Sequence, residues 1–210
     1  MNIALFAASG KIGSKIMSEA LRRGHKVTAI VRNPAKITSS KDNLVIKQGN
    51  VLNAQEVASL ARGHDAVVSA YGPNGRAQEL VDVAHSLLEG VKMSGVKRLI
   101  MVGGAGSLEV SSGKQLMDTP QFPAAAKPYA VAHRDAMAVF RMERDLQWTF
   151  VSPSAQVEPG EKKGSYRTSD DRLLTDEQGK STISTEDYAA ALVDELEHPQ
   201  HIRRRFTVGY

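Results

Sequence analysis

Short apolar runs rich in branched residues alternate along the chain with amphipathic stretches. The runs Asn2–Ala7, Lys26–Arg32, Asn43–Lys47, Asp65–Ala70, Arg98–Val102 and Trp148–Ser152 have the length and residue types of buried strands. Between them, Lys11–Arg23, Ala54–Ala61, Ala77–Met93 and Pro128–Arg144 carry helical spacing. Such alternation makes βαβ units, and these build a parallel sheet covered by helices. Punctuation agrees. Gly24 follows the first helix as a C-cap, Asn53 with Glu56 three residues on resembles a capping box, and Pro128 suits a first helical position. The expected fold is α/β: a Rossmann-like, doubly wound parallel sheet of roughly six or seven strands, in a single domain over 1–210.

Two stretches break the rhythm. Residues 104–127 follow Gly103 with Gly104, Gly106 and Gly113 early and Pro120 and Pro123 late, without periodicity. A loop of that length in a compact domain usually acts as a lid. Residues 153–183 hold Pro159, Gly160, Gly164 and Gly179 around two strand-like pieces, Ser165–Thr168 and Arg172–Thr175, before a helix at Thr185–Glu197 and a final strand at Phe206–Val208. Both stretches follow strands whose C-terminal ends border the ligand crevice of an open α/β sheet. Together, 153–183 and the lid loop 104–127 are expected to form a small C-terminal, substrate-side lobe.

Composition narrows the class of protein. The 210 residues are 41% hydrophobic and 24% charged, as in an ordinary globular domain. The absence of cysteine excludes a disulfide framework, thiolate metal sites and cysteine nucleophiles, so a cytoplasmic location is expected. No apolar run approaches the roughly 18 residues of a membrane span, and the start, Met1-Asn2-Ile3-Ala4, reads as a mature first strand rather than a signal peptide. Lys plus Arg is 27 against 23 for Asp plus Glu, a formal charge of +4. The cluster Arg203-Arg204-Arg205 is too short for a nucleic-acid tail and is expected on a solvated strand edge. The expected partner is a small molecule, with neither nucleic acid nor membrane, and the chain is expected to be a monomer or homodimer. The histidines have no metal-ligand spacing and no G-x-S-x-G elbow occurs, so neither a metal nor hydrolase chemistry is expected.

The first candidate site is Ala7-Ala8-Ser9-Gly10-Lys11-Ile12-Gly13, immediately after the first strand and opening the first helix. A turn there brings backbone amides to a pyrophosphate at the positive end of the helix, and a later glycine lets the helix pack close to the sheet. Gly10 and Gly13 suit these two roles. Ala7 stands where a G-x-x-G-x-x-G loop has its first glycine. Alanine disfavours positive φ, so either the turn takes an ordinary conformation or the ligand shifts.

At the end of the second strand no Asp or Glu is present to hold both ribose hydroxyls of NAD(H). Arg32 instead offers a guanidinium suited to a 2′-phosphate, with Lys36 and Lys11 able to add charge, which favours NADP(H) over NAD(H). The alternative is an exposed strand-end arginine with no such role.

The segments Val102-Gly103-Gly104-Ala105-Gly106-Ser107-Leu108, Trp148–Pro153, Ile183–Ala189 and His201–Val208, together with the loop, resemble the atypical short-chain dehydrogenase/reductases with an NmrA-like NAD(P)-binding fold. Within them, the chain is similar over nearly its whole length to the group called putative NADH-flavin reductases. The wider fold includes flavin and biliverdin-IXβ reductases. The resemblance implies a pocket between the sheet's C-terminal edge and the smaller lobe. In that pocket Asn50-Val51 would border the adenine, Ala70-Tyr71-Gly72 the ribose and diphosphate, and Ser152-Pro153 the nicotinamide side, with Gly103 also touching the cofactor. Asn50 stands where aspartate is common.

Members of the larger superfamily carry Tyr-x-x-x-Lys. The corresponding stretch here is Tyr129-Ala130-Val131-Ala132-His133. Spacing i, i+4 places Tyr129 and His133 on one helix face, at the end beside the strand C-termini. Tyr129 is a candidate proton donor and His133 a candidate ribose contact, although both also belong to an apolar packing face with Ala132, Ala136, Met137 and Phe140, and histidine lacks lysine's permanent charge. Ser107 can hydrogen-bond the substrate or the nicotinamide carboxamide, or act as a loop serine that satisfies backbone amides. Phe122, Met117 and Tyr166 are candidates to cover an apolar planar substrate.

These residues favour an NADPH-dependent reductase that passes hydride to a planar acceptor such as a flavin or quinone. Flavin N5 takes hydride directly and the proton can come from solvent, so a Tyr-Lys pair is dispensable. The alternative is a non-catalytic NADP(H)-binding redox sensor. A sugar-nucleotide epimerase or dehydratase is disfavoured by the short chain and the missing Tyr-x-x-x-Lys.

Overall fold

The computed structural model describes residues 1–72 and 75–210. In chain order its elements are β1 (Asn2–Phe6), α1 (Lys11–Arg22), β2 (Lys26–Val31), β3 (Leu44–Gln48), α2 (Ala54–Ala61), β4 (Ala66–Ser69), α3 (Glu79–Ser94), β5 (Arg98–Val102), β6 (Glu109–Ser111), β7 (Lys114–Gln115), α4 (Lys127–Met142), β8 (Gln147–Pro153), β9 (Gln156–Glu158), β10 (Arg167–Ser169), β11 (Thr182–Ser184), α5 (Thr185–Glu197) and β12 (Arg204–Gly209).

β1 shows why the strands read as continuous apolar runs. Every residue after Asn2 in it is buried, Ile3 and Leu5 on one face and Ala4 and Phe6 on the other. A strand covered on both faces has no solvent side on which to alternate. Ile3 and Leu5 pack with α1 and α5, whereas Ala4 and Phe6 pack with α2, α3 and α4. The main sheet has the order β10-β12-β8-β5-β4-β1-β2-β3, all parallel except β10, which runs antiparallel to β12. Winding reverses between β1 and β4, so a crevice opens there at the C-terminal strand ends. Among the described residues no helix is long and apolar enough to cross a membrane.

Several expectations shift. The main sheet has eight strands, because β10 adds an edge beside β12. The piece expected at Ser165–Thr168 forms as β10, Arg167–Ser169. Arg172–Thr175 is not a strand: Arg172 makes one isolated bridge to Glu109, with Leu173 N–H donating to the Glu109 carbonyl at 2.9 Å and Glu109 N–H to the Asp171 carbonyl at 2.8 Å. That lacing ties the 104–127 segment to the C-terminal part of the chain. The segment expected as an unstructured lid contains the β6–β7 hairpin and is pinned by Met117 N–H donating to the Gly106 carbonyl at 2.8 Å. Strands of two or three residues are too short for periodicity to reveal.

Arg205 corrects the solvated-edge reading of Arg203–Arg205. β12 is an interior strand between β8 and β10, so its alternate side chains turn inward, leaving Arg204 exposed and Arg205 buried at 6%. Capping follows the expected pattern with one change. Asn53 Oδ1 accepts from the amides of Gln55 and Glu56, but the Glu56 carboxylate reaches the amide of Asn50, at 2.8 Å, rather than that of Asn53. Pro128 occupies the second position of α4, after Lys127.

Candidate functional site

A cavity of about 860 Å³ occupies the crevice at the ends of β1, β2, β4 and β5. Its floor is the β1–α1 loop. Ala7 there has φ +59°, so the left-handed turn of a glycine is kept with an alanine in it, and the ordinary conformation left open by the sequence is not adopted. The turn is held by Ala7 N–H donating to the Ile30 carbonyl at 2.9 Å and Gly10 N–H to the Ala7 carbonyl at 3.0 Å, over a fully buried Ala8. Gly10 is the N-cap of α1, with an ordinary φ of −74° and no side-chain cap. Ser14 N–H makes the first helical bond, to the Gly10 carbonyl, and the first turn carries no acid. The preceding amides therefore present an uncapped positive end to the cavity. By contrast, Asn53 caps α2 and Ser184 caps α5.

The loop sets the cationic side of the cavity. Lys11 Nζ donates to the Val157 carbonyl at 2.9 Å, fastening the start of α1 to β9. Arg32 and Lys36 line the cavity from the chain that leaves β2, and both are exposed. Opposite them, Tyr71 Oη donates to the Glu79 carboxylate, which also accepts from Arg76 Nη1 at 2.8 Å. Burial and then the Glu79 contact push the Tyr71 phenol up to about 12. The bonds from Tyr71 and Arg76 lower Glu79, which is therefore a carboxylate at neutral pH. Asn50 Oδ1 accepts from Leu52 N–H at 3.1 Å, next to Val51.

Among the described residues, none at the other end carries a charge. Val102, Gly103, Tyr129 and His133 line it. Among the described residues His133 Nδ1 is sequestered without a hydrogen-bond partner, and burial holds the imidazole at about 4, so it is neutral at physiological pH. Lacking side chains, Gly103 and Gly104 make this arrangement possible. A β-carbon on Gly103 would lie 2.3 Å from the Phe150 ring and 3.2 Å from Ser152 Oγ, and one on Gly104 would lie 2.8 Å from the His133 ring.

The structure thus gathers most of the expected residues in one cavity: Ala7, Ser9, Gly10, Lys11 and Ile12 from the loop, Arg32, the pair Asn50 and Val51, the run Ala70 to Gly72, then Gly103, Tyr129 and His133. Gly13 lies behind the loop, where a β-carbon would sit 2.3 Å from the Ala7 carbonyl oxygen. Ser152 and Pro153 are buried in β8 and do not line the cavity. Among the described residues the Ser152 hydroxyl has no partner. Ser107 is likewise buried away from it. Its Oγ accepts from Arg205 Nη1 at 2.8 Å, and Arg205 Nε donates to Asp171 at 2.6 Å. The glycine-rich chain turns from the cavity after Gly103 and passes under α4, where a β-carbon on Gly106 would meet that of Ala130 at 2.3 Å. Met117, Phe122 and Tyr166 do not line the cavity either. Met117 is 3% exposed, and Tyr166 packs on the core with its hydroxyl on Asp194. Glu79 and Arg76 escaped the sequence reading, because an i, i+3 pair at a helix start resembles a solvated surface pair. Gly49 did leave a signal, a glycine just past a strand. A β-carbon there would lie 2.4 Å from Leu60.

Residues 7–199 match a family described as NAD(P)H-binding. Three solved structures are similar to the chain along its length. A putative exported protein from Burkholderia pseudomallei is 49% identical with a TM-score of 0.92, covering 100% of both chains. A putative epimerase from Bacteroides thetaiotaomicron is 43% identical with a TM-score of 0.95, covering 100% of this chain and 96% of the other. A putative NADH-flavin reductase from Streptococcus pneumoniae TIGR4 is 36% identical with a TM-score of 0.84, covering 100% of this chain and 99% of the other. Three descriptions on one architecture leave the chemistry to be argued from the residues of the site.

Proposed function

Since this chain belongs to the NAD(P)H-binding family, which it matches over residues 7–199, we propose that it is an NADPH-dependent reductase acting on a planar acceptor such as a flavin or quinone. The observation that carries this reading is the division of charge along one cavity. Lys11, Arg32, Lys36 and the open end of α1 lie at one end, and, among the described residues, Val102, Gly103, Tyr129 and neutral His133 at the other. A dinucleotide has that polarity, with phosphates at one end and an uncharged ring at the other.

The residues present fit such a cofactor. The uncapped amides after Gly10 would take the diphosphate, Arg32 with Lys36 the 2′-phosphate, and Asn50 and Val51 the adenine, with Tyr71 and Gly72 along the ribose. When bound, the reduced nicotinamide supplies a hydride. His133 would offer it a neutral hydrogen-bonding edge. Four residues on from Tyr129, where the larger superfamily has its lysine, stands an imidazole that burial holds neutral. A carbonyl substrate or a nucleotide sugar needs an activated acid there, whereas a flavin or quinone accepts hydride and takes its proton from solvent. The lacing of 104–127 to the C-terminal part of the chain would place both on the acceptor's side. This reading fits a cytoplasmic protein working on a small molecule.

The missing acid also favours a second reading, a sensor that binds NADP(H) without turnover. NADPH oxidation with and without FMN, beside direct NADPH titration, separates the two. Sustained FMN-dependent oxidation is expected. Tight binding without turnover across flavins and quinones establishes the sensor, and no binding overturns both readings.

A further inference from the structure

Among the described residues that line the cavity, Glu79 is the one with a carboxylate. It stands at the cationic end. Its side chain is 17% exposed and takes two hydrogen bonds, from Tyr71 Oη and from Arg76 Nη1, the latter at 2.8 Å. The Arg76 side chain is 65% exposed, so this pair is weakly held. Arg32 lines the same cavity as Glu79 and Tyr71, and its charge adds to the lowering of Glu79 and works against the rise of the Tyr71 phenol. An anion placed on Arg32 is therefore within the field of Glu79 as well.

We propose that Glu79 is a specificity-determining residue whose carboxylate competes with the cofactor's 2′-phosphate for Arg32 and Arg76, and so sets the ratio of NADPH to NADH affinity. The inference rests on the cofactor reading above. In the free protein Glu79 partly neutralises the two guanidinium groups. A 2′-phosphate carries more charge than one carboxylate and draws Arg76 from its exposed pair, while the half-buried phenol of Tyr71 keeps hold of Glu79. Repulsion between phosphate and carboxylate remains as a cost that NADH does not bear. Removing the carboxylate charge and removing the Arg76 guanidinium should therefore move the affinity ratio in opposite directions. If Glu79 only positions Tyr71 and the start of α3, both cofactors are affected alike.

The test is calorimetric titration of NADPH and NADH into the wild-type chain, Glu79→Gln and Arg76→Ala. Glutamine still accepts from Tyr71, so Glu79→Gln isolates the charge. It should tighten NADPH about threefold to tenfold and shift NADH less than about twofold, while Arg76→Ala loosens NADPH by a similar factor. The Glu79→Gln gain should shrink as salt rises, because the groups lie near the surface. An NADPH to NADH ratio unchanged in Glu79→Gln, or equal loss of both, overturns this inference alone. Wild-type protein that binds neither nucleotide overturns the cofactor reading and this inference with it.

Discussion

Gly13 and Ala7 are in contact where no side chain fits: a β-carbon on Gly13 would lie 2.3 Å from the Ala7 carbonyl oxygen and 3.1 Å from the Ala8 Cα. The close approach lets α1 start against the end of β1 with its amides facing the cavity. Gly13→Ala must push α1 outward or move the Ala7 carbonyl, and overpacking of this kind costs about 1–3 kcal/mol. Thermal unfolding should show that loss, and NADPH affinity should fall at least about tenfold. Unchanged affinity would mean that the loop does not depend on this contact.

Ala7 itself has φ +59°. An L-residue with a β-carbon in the left-handed region costs about 1 kcal/mol or more, which glycine avoids. Ala7→Gly should therefore raise stability by up to about 1 kcal/mol, offset in part by the greater freedom of glycine in the unfolded chain. NADPH binding should be kept or tightened. A lower melting temperature would show that the alanine methyl contributes packing that outweighs the strain.

Arg32 is exposed at the end of β2 and lines the cavity. If it reads the 2′-phosphate, Arg32→Ala should weaken NADPH by about tenfold or more and NADH by much less, since a charge-assisted hydrogen bond is worth about 1.5–3 kcal/mol. Equal losses in the two titrations would assign Arg32 to the adenosine face instead.

His133 makes stability depend on pH. Burial holds its imidazole at about 4 in the folded chain, against 6.5 normally. Above pH 6.5 both folded and unfolded chains are neutral at this residue and it contributes no slope. Between pH 6.5 and 4 the unfolded chain binds a proton that the folded chain refuses, so stability falls as pH falls, by about 1.4 kcal/mol per unit at most. Below pH 4 the loss levels off. His133→Gln should flatten this acid limb in urea unfolding, and a limb of equal slope in both proteins would show that the imidazole is not held neutral.

Ser107 and Arg205 have a structural part. Ser107→Ala removes the 2.8 Å acceptor of Arg205 Nη1 and leaves that donor only the longer bond to the Ser107 carbonyl at 3.3 Å, which should cost about 0.5–1.5 kcal/mol in stability. Far from the cavity lining, it should leave NADPH affinity and FMN-dependent oxidation unchanged per folded molecule. A drop in turnover without a drop in stability would return Ser107 to the substrate.

Much of this architecture could be read from short stretches of chain, because the causes are short-range. Burial on both faces makes β1, β4 and β5 continuously apolar, helical spacing marks α1 to α5, and Asn53 and Ser184 cap helices within three residues of themselves. The Ala7–Gly13 loop and the Tyr129–His133 face were legible for the same reason. What the sequence left open depends on which strands become neighbours. Arg205 follows two other arginines and looks solvated until β12 is enclosed by β8 and β10, which turns it onto Asp171 and Ser107. Glu79 looks like a surface acid until the winding order sets the start of α3 opposite the end of β2, bringing it into the field of Arg32. Periodicity and capping record each residue's own neighbourhood along the chain. Which charges meet across the cavity is decided by sheet order and register, which no local stretch contains.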